Sequence, residues 1–407
     1  MSRRVVITGV GLLSPLGNTF EDFIINLYKG KSGIESDTDW VPFGLETHLR
    51  GSVKDFSEKN IPRKERRSMS RVAQLAVTAT KMAFDDASLS KELIENERTG
   101  ISYGSTMGGT SAIQDFFGST VDGNVTKGVM STTFLKIMSH TCAANIGTAF
   151  KIPGPTMASC TACAASTQGI GFGYQAIKEG RLDVAVCGGA EELHVSVASV
   201  FDTLRSTSTK YNDKPHLSPR PFDENRDGTV ISEGAGTIIL EDMENAINRG
   251  AIIYGEVVGY YTNNDGVHMT NPSETGLNNC MKGALRDADL TPSDIDYINA
   301  HGTATLIGDI AESKAIENIF GNNTPVSSLK GNIGHTMGAC GVLETAGCIA
   351  MLRDQKLVPT LNLENPDPDC GDLDYVKGEC REHKIKHILK NSFAFGGINA
   401  SLVISRF

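Results

Sequence analysis

The sequence predicts an α/β protein in which strands and helices alternate along the chain. Short apolar runs rich in β-branched residues are followed by stretches with a helical period, an order typical of layered α/β folds. The 407 residues include 43 glycines, 40% hydrophobic and 21% charged residues, which describes a compact globular chain. A chain of this length has room for several domains or for one large duplicated architecture.

Seven runs have the composition of strands: residues 5–8, 101–103, 184–186, 236–240, 252–258, 297–300 and 402–405. A helix is predicted to begin near Ser68, where apolar residues keep a helical period and bury one face. A natural midpoint lies near Gly250, and the stretch after it loosely echoes residues 3–18, which leaves an internal duplication open. Gly9 and Gly11 match a dinucleotide-binding turn only in part, and nucleotide binding is not expected.

Charge and composition exclude several classes of partner. A net charge of −10 argues against nucleic acid, because binding to phosphate backbones needs many Lys and Arg contacts. The first ten residues pass directly into a strand-like run and do not resemble a signal peptide. Residues 152–177 carry no charge but are rich in Ser, Thr, Gln, Gly and Pro, so no membrane span is expected. Nine cysteines without a signal favour free thiols in the cytoplasm.

Residues 159–166, SCTACAAS, place small residues around two cysteines ahead of a helix-like stretch. A thiol at a helix N-terminus faces unpaired N–H groups and the positive end of the dipole, which favour the thiolate. Cys163 is therefore a candidate nucleophile, and the same N–H groups can hold an oxyanion. A packing cysteine is the plain alternative. Cys160 and Cys163 also form a C-x-x-C pair, but the sequence has no second pair to complete a zinc site, and no metal is expected.

Two histidines follow strand-like runs, where α/β folds gather ligands and catalytic groups. His301 comes after YINA, and His335 ends KGNIGH. Two imidazole N–H donors on one thioester oxygen suffice to stabilise an enolate formed by decarboxylation. Lys330 lies five residues before His335 and supports the charge balance of such a site if it points inward. A surface lysine is the alternative.

Four segments carry a family signature: TACAAS, HGTAT with Gly308 and Asp309 after it, KGNIGHTMGACGVLE, and NSFAFGGINASLVI. With VVITGVGLLSPLGN, RPFDENRDG and NLENPDPDC in matching order, they resemble the elongating β-ketoacyl-acyl-carrier-protein synthases along nearly the whole chain. The resemblance implies a thiolase-like fold with a duplicated, five-layered α-β-α-β-α architecture. Residues 1–250 would carry the nucleophile, and residues 251–407 the two histidines and a gate loop.

The same resemblance implies a reaction and its partners. An acyl group would pass from acyl carrier protein to Cys163, and decarboxylative Claisen condensation with the malonyl carrier would give the 3-oxoacyl carrier in fatty acid biosynthesis. Substrates would arrive on the carrier's phosphopantetheine, so no cofactor is expected. A homodimer is usual. The alternative is a ketosynthase of a specialised polyene, pigment or type II polyketide pathway, working in a heterodimer with a chain-length subunit.

Motif positions imply the site residues. Cys163 resembles the acylated nucleophile, His301 and His335 the decarboxylation pair, and Lys330 the lysine that supports them. Backbone N–H groups of Cys163 and Phe395 would form the oxyanion hole, with Phe395 also the gate residue. The other implied positions are the substrate-binding residues Thr303, Thr305, Met107 and Phe393, the supporting acids Glu344 and Asp309, and the carrier contacts Lys64, Arg67 and Arg205.

The gate loop departs from the family pattern. Ala394 and Ile398 stand in NSFAFGGIN where the family usually reads GFGGTN. An alanine Cβ removes conformations that glycine permits, so we expect a gate whose motion is restricted or differently timed. Leu306 stands where proline is common, and Cys160 adds a second thiol near the site. These departures keep the specialised pathway open beside primary fatty acid synthesis.

Overall fold

The computed structural model describes residues 2–121, 123 and 130–407. The strands are β1 (Val5–Leu13), β2 (Ile34–Ser36), β3 (Leu49–Gly51), β4 (Thr99–Gly104), β5 (Thr156–Met157), β6 (Val184–Glu191), β7 (Ile231–Ser232), β8 (Gly234–Asp242), β9 (Gly255–Asn264), β10 (Tyr297–Asn299), β11 (Pro325–Ser327), β12 (Lys356–Leu357), β13 (Asp374–Tyr375), β14 (Arg381–Glu382), β15 (His387–Ala394) and β16 (Ile398–Ser405).

The helices are α1 (Phe20–Tyr28), α2 (Arg63–Arg66), α3 (Arg71–Ala87), α4 (Lys91–Ile94), α5 (Thr110–Val121), α6 (Ser131–Ile137), α7 (Thr141–Phe150), α8 (Ala165–Lys178), α9 (Val195–Thr203), α10 (Met243–Asn248), α11 (Glu274–Asp287), α12 (Leu306–Phe320), α13 (Lys330–Ile333) and α14 (Cys340–Asp354). Short 3-10 turns at Ala162–Ala164 and Met337–Ala339 lead directly into α8 and α14.

The predicted strand runs all fall on strands, with two shifts at their ends. Residues 252–254 precede β9, where Ile252 is 69% exposed and outside the ladder, and residue 300 follows β10. Strands β5, β11, β13 and β15 of the main sheet, and the short strands outside it, were not anticipated. The helix expected near Ser68 begins at Arg71, because Ser70 has an extended backbone (φ −78°, ψ 173°). Its buried face is the periodic one that the sequence indicates.

Gly9 and Gly11 of β1 serve the packing of helix α3. A Cβ at Gly11 would lie 2.1 Å from the carbonyl oxygen of Ala79, and one at Gly9 would lie 2.5 Å from that of Ala83. Both oxygens belong to the helix backbone, which cannot move aside. The two glycines therefore let α3 lie directly on the strand, which accounts for them without a nucleotide.

Eleven strands form one sheet in the order β13-β11-β10-β15-β16-β9-β1-β8-β6-β4-β5. The first half of the chain supplies β1-β8-β6-β4-β5, and the second supplies β9-β16-β15-β10-β11 with β13 added at the edge, so the first five strands of the second set repeat the first set strand for strand. In both, the first two pairings are antiparallel and the last two are parallel. The architecture is therefore duplicated. Antiparallel pairing of β1 with β9 joins the two sets.

Helices cover the outer faces of the two halves of this sheet, and two further helices lie between the halves. Helices α3 and α7 cover the outer face of the first half, and α11 and α12 that of the second. Helices α8 and α14 contact each other and strands of both halves, which makes five layers. All residues of α14 from Cys340 to Leu352 are buried. The 3-10 turns before these two central helices bring the candidate site residues together.

Within the described part of the chain, every helix is too short or too polar to cross a membrane.

Candidate active site

The site is a cavity of about 330 Å³ where the central helices begin. Cys163, His301 and His335 line its inner end. The strand ends and loops of the second half form much of its wall, including the segment at residues 393–397. A buried thiol beside two imidazoles, reached from outside through one cavity, suits chemistry that must exclude water.

Cys163 lies in the 3-10 turn before α8 and is 4% exposed. Ala162 before it adopts φ +47°, which turns the chain sharply and aims the thiol into the cavity. The sequence-based expectation of a favoured thiolate is wrong: burial raises the pKa of Cys163, with Cys340 adding to the rise and Lys330 opposing it. The resting nucleophile is therefore a protonated thiol.

His335 is the nearest imidazole to the nucleophile. Its Nε2 lies 3.0 Å from the Cys163 Sγ. The Met337 backbone N–H donates to its Nδ1 over 3.3 Å, which assigns the ring proton to Nε2. Burial holds the pKa of His335 well below its usual value, and Lys330 and Lys390 lower it further. The ring is a neutral donor that points its N–H at the thiol.

His301 has a matching arrangement from the end of β10. Its Nδ1 faces the Lys330 ammonium at 3.2 Å, so its proton also belongs on Nε2. Burial holds the pKa of His301 well below its usual value, with Lys330, His335 and Lys390 contributing. The two rings stand edge to face with centroids 5.3 Å apart. The structure thus brings together two neutral imidazoles, each with an Nε2–H available to a ligand.

A buried ionic cluster backs the histidines. The Lys330 Nζ donates to the His301 carbonyl oxygen over 2.7 Å and contacts the Glu344 carboxylate. The other Glu344 oxygen lies 3.0 Å from the Lys390 Nζ. All three side chains are fully buried. Lys330 therefore points inward, and Glu344 lies between two lysines.

The three inner groups also have the composition of a metal site. Their ligand atoms, the Cys163 Sγ and the imidazole nitrogens, lie within 4.8 Å of one another. A metal-bound histidine usually donates its remote N–H to an acceptor. Here both remote Nδ1 atoms face donors, so the imidazoles would first have to exchange tautomers. The hydrogen bonding fits N–H donors better than metal ligands, and a site without metal stays a prediction.

The predicted substrate-binding residues fall in two places. Thr303 and Thr305 line the cavity with their hydroxyls 2.9 Å apart, and Phe393 lines it as well. Met107 is 43% exposed and does not line the cavity. Its assignment to an acyl pocket stays a prediction.

Phe395 lies across the cavity, stacked on Phe201 at a centroid distance of 5.3 Å. Gly396 and Gly397 have φ values of +88° and +73°, whereas Ala394 is outside the positive-φ region. The alanine is thus accommodated in β15 without strain in this conformation. Its effect on gate motion stays a prediction.

The remaining predicted residues surround the site. Asp309 is buried, accepts hydrogen bonds from the backbone N–H groups of Phe222 and Ala304, and has its pKa raised by burial to about 6. Lys64 and Arg67 are exposed in and just after α2, outside the cavity lining. Arg205 is exposed and lines the cavity, which places a cation at its mouth.

Two buried residues of the site escaped the sequence analysis. Glu312 lines the cavity, accepts 2.7 Å hydrogen bonds from the backbone N–H groups of His301 and Gly302, and has its pKa raised by burial to about 7. Its spacing of three residues from Asp309 on α12 was a readable signal. Lys390 interrupts an apolar strand, HILKNSF, and only its burial reveals that it belongs to the cluster.

The duplicated five-layered fold and the cysteine–histidine–histidine centre define a thiolase-like ketosynthase, which belongs to the acyltransferases. Comparison with known proteins identifies the family. Residues 2–246 match the N-terminal domain of beta-ketoacyl synthases, and residues 254–364 match the C-terminal domain. The chain belongs to this family, and the predicted fold class is confirmed.

Individual relatives match this chain over its full length in sequence or in structure. The "3-oxoacyl-[acyl-carrier-protein] synthase 1" of Haemophilus influenzae is 37% identical over 406 residues, with 100% of this chain and 99% of the relative covered. A beta-ketoacyl synthase crystal structure from Burkholderia phymatum superimposes with a TM-score of 0.97 at 43% identity, covering 100% of both chains. A type II PKS ketosynthase, solved in complex with its acyl-carrier protein, gives a TM-score of 0.92 at 31% identity, also with full coverage of both.

Proposed function

We propose that the protein is a 3-oxoacyl-acyl-carrier-protein synthase of fatty acid biosynthesis. It transfers an acyl group from acyl carrier protein to Cys163 and condenses that group with the malonyl carrier. The observation that carries the proposal is the placement of two neutral Nε2–H donors around one buried thiol, with one donor 3.0 Å from its sulfur. The full-length similarity to a 3-oxoacyl-acyl-carrier-protein synthase supports the same reaction.

The first half-reaction is acyl transfer. The Cys163 Sγ attacks the thioester carbonyl, the bond between that carbonyl carbon and the phosphopantetheine sulfur breaks, and this sulfur leaves as a thiol with the proton that Cys163 gives up. Backbone N–H groups of Cys163 and Phe395 hold the oxyanion of the tetrahedral intermediate. Thr303 and Thr305 bind the amide-rich arm in the cavity, where paired hydroxyls can both donate and accept.

The second half-reaction begins with loss of CO₂ from the malonyl thioester. The Nε2–H groups of His301 and His335 donate to its carbonyl oxygen and stabilise the enolate that the departing CO₂ leaves behind. The enolate carbon attacks the acyl group on Cys163, the C–S bond breaks, and the Cys163 thiolate takes up a proton from solvent. Lys330 supports His301 through its contact with Nδ1. Each donor acts in a buried, low-dielectric space, where such interactions are strongest.

The halves of the chain divide this work. Residues 1–250 supply the nucleophile, while residues 251–407 supply the histidines and the gate loop at Phe395. Asp309 and Glu344 support the site. Met107 and Phe393 complete the substrate-binding set.

The proposal includes the partner protein, the oligomeric state and the cellular compartment. The partner is an acidic acyl carrier protein, for which Lys64, Arg67 and Arg205 supply exposed cations. The enzyme works as a homodimer in the cytoplasm, without a cofactor beyond the phosphopantetheine on the carrier. The free state of all nine cysteines is in keeping with a reducing compartment.

A second candidate is a ketosynthase of a specialised polyene, pigment or type II polyketide pathway with a chain-length partner. The observation that favours it is the altered gate loop, in which Ala394 and Ile398 face each other across the hairpin. The full-length likeness to a type II PKS ketosynthase points the same way. The two candidates share every chemical step and differ in the acyl chain and the partner.

Intact-mass measurement tests the proposal. The protein is incubated with acyl-carrier thioesters of different length and saturation, and the malonyl carrier is then added. We expect one acyl group on Cys163 and a product longer by two carbons, with no acyl group on Cys163→Ala and full loading of the control Cys160→Ala. Loading of the Cys163→Ala variant would overturn the nucleophile assignment. Turnover only after addition of a second subunit would favour the second candidate.

A further inference from the structure

Lys390 is a fully buried lysine in the middle of a strand. It lies on β15 with Ile388 and Ser392 on the face that packs against the central helices, while the alternate residues Leu389 and Phe393 pack in the cluster of the outer layer. Burial of an ammonium group is costly unless partners compensate for its lost hydration. The position of Lys390 behind the two histidines therefore calls for an explanation.

Three contacts tie Lys390 to the elements that build the site. Its Nζ donates to the Thr167 hydroxyl over 2.9 Å and to the Ser392 hydroxyl. Thr167 lies on α8 one turn after Cys163, so this contact reaches the nucleophile's helix. The third contact is the Glu344 carboxylate on α14, at 3.0 Å. Lys390 thereby connects α8, α14 and the hairpin that carries Phe395.

The ionic cluster carries an excess of positive charge. Lys330 and Lys390 share the single carboxylate of Glu344, and among the described residues neither lysine has another carboxylate within ion-pair distance. Two formal positive charges against one negative charge leave a net charge of +1 where all three side chains are fully buried. Such an excess is costly in the resting protein and favourable once an anion enters.

The other ionisable groups around the histidines do not cancel this excess. Cys163 and Cys340 have their pKa values raised by burial, so both are neutral thiols. Glu312, on α12, has its pKa raised by burial to about 7, so on the acid side of that pH it is protonated and neutral. Asp309 is paired with Arg226 at 3.7 Å. The uncompensated cation is thus a property of the Lys330–Glu344–Lys390 cluster.

We propose that Lys390 is a positioning residue of the condensation site: it fixes Glu344 from the side opposite Lys330 and, as a second cation, keeps His301 and His335 as neutral N–H donors. The excess charge then favours the enolate formed from the malonyl thioester. This inference rests on the proposed function. It goes beyond that function in assigning a role to a lysine that does not line the cavity.

Electrostatics predict how removal of the Lys390 charge changes the pKa values of the two histidines. Lys390 contributes to lowering the pKa of both histidines, after burial and Lys330. Removal of its charge therefore raises both pKa values. The imidazoles then become protonated at a higher pH, and the variant loses decarboxylation on the acid side at a pH where the wild type still works.

The experiment compares Lys390→Met, Lys390→Gln and Lys390→Arg with the wild type. The control is Lys386→Met, which removes an exposed lysine near the start of the same strand. Decarboxylation of the malonyl carrier is measured against pH, and NMR of ¹³C-labelled histidine gives the titrations of His301 and His335. The two signals are assigned with His301→Ala and His335→Ala samples.

We expect the uncharged variants to shift the acid limb of the decarboxylation pH profile upward by about one pH unit. The titration midpoints of His301 and His335 should shift by the same amount, a tenfold change in proton affinity. The kcat should fall at least about tenfold while KM changes little, because the group acts on the transition state. Lys390→Arg should keep the wild-type limb, and Lys386→Met should match the wild type throughout. Lys390→Gln retains hydrogen bonding to Thr167 and Ser392, so it carries the test if Lys390→Met does not fold.

A folded uncharged variant with the wild-type acid limb and unchanged histidine titrations would overturn the inference. A shift shared equally by Lys390→Arg would also overturn it, because the charge is then not the cause. Failure of the proposed function looks different: the wild type itself would not decarboxylate the malonyl carrier. In that case the histidine titrations still decide whether Lys390 controls their protonation.

Discussion

The starts of α8 and α14 show the same backbone used twice with different side chains. Each helix follows a 3-10 turn whose first residue has a positive φ, +47° at Ala162 and +48° at Met337. The next residue is Cys163 in one turn and Gly338 in the other. The turns also contact each other, since the Cys340 thiol donates to the Cys163 carbonyl oxygen over 3.1 Å.

Space explains why only one of the two turns carries a nucleophile. The Cys163 side chain opens into the cavity. A Cβ at Gly338 would lie 2.8 Å from the Thr106 backbone nitrogen and 2.9 Å from the Ser105 Cα. The duplicated fold therefore supplies two sharp turns, and their surroundings make one reactive and the other a packing point. What a turn can do depends on the surface opposite it as much as on its own geometry.

The largest effect should come from removing the thiol on the reactive side. Cys163→Gln is expected to reduce condensation by at least about a thousandfold, because no acyl-enzyme can form. Decarboxylation of the malonyl carrier should persist, since His301 and His335 stay in place. Product analysis and CO₂ release measure the two steps separately. Condensation at the wild-type rate would show that another residue accepts the acyl group.

A smaller effect is expected on the packed side. Gly338→Ala should lower the free energy of unfolding by about 2 kcal/mol, because the new Cβ meets backbone atoms that cannot yield cheaply. The matched control is Gly118→Ala on α5, where a Cβ meets nothing within 4 Å, and stability should be unchanged or slightly higher. Denaturant unfolding checks both. Equal stability of the two variants would contradict the spatial explanation.

The smallest effect concerns the contact between the turns. Cys340 is a neutral thiol at pH 8, because burial raises its pKa to about 11. Cys340→Ala therefore removes the hydrogen bond to the Cys163 carbonyl oxygen without removing a charge near the Cys163 thiol, and alkylation of Cys163 at pH 8 should stay within about twofold of the wild-type rate. Mass spectrometry of alkylation over time, with Cys348→Ala as a buried-cysteine control, measures this. A much larger change in rate would show that Cys340 carries charge at pH 8.

Much of the fold and of the inner site was predictable, because the informative residues stand where strands give way to helices. Small residues around Cys163 and the strand-end positions of His301 and His335 follow from local sequence. Burial does not. The sequence indicates a helix N-terminus before Cys163, but the desolvation that raises its pKa arises from layers far away along the chain.

Lys390 is a clearer example of burial that local sequence does not predict. A lysine within a short strand ordinarily indicates an exposed edge, and nothing near it in the sequence contradicts that interpretation. Its burial depends on Glu344 and Thr167, which reach it only after the halves close around the central helices. Contacts between distant segments decide the protonation states of the site, and those contacts are what a single sequence conceals.

The pairing of β1 with β9 has a consequence for the order of the two halves. Val5 pairs with Val257, and on the other side of β9 Ser405 pairs with Glu256, so the start of β1 and the end of β16 lie about 10 Å apart across one strand. The Arg4 guanidinium even reaches over the Phe407 ring at 5.8 Å. A circularly permuted chain, joined from residue 407 to residue 2 and opened at residue 250, would retain every contact of the site. The halves would then be translated in reverse order, with the histidines made before the nucleophile.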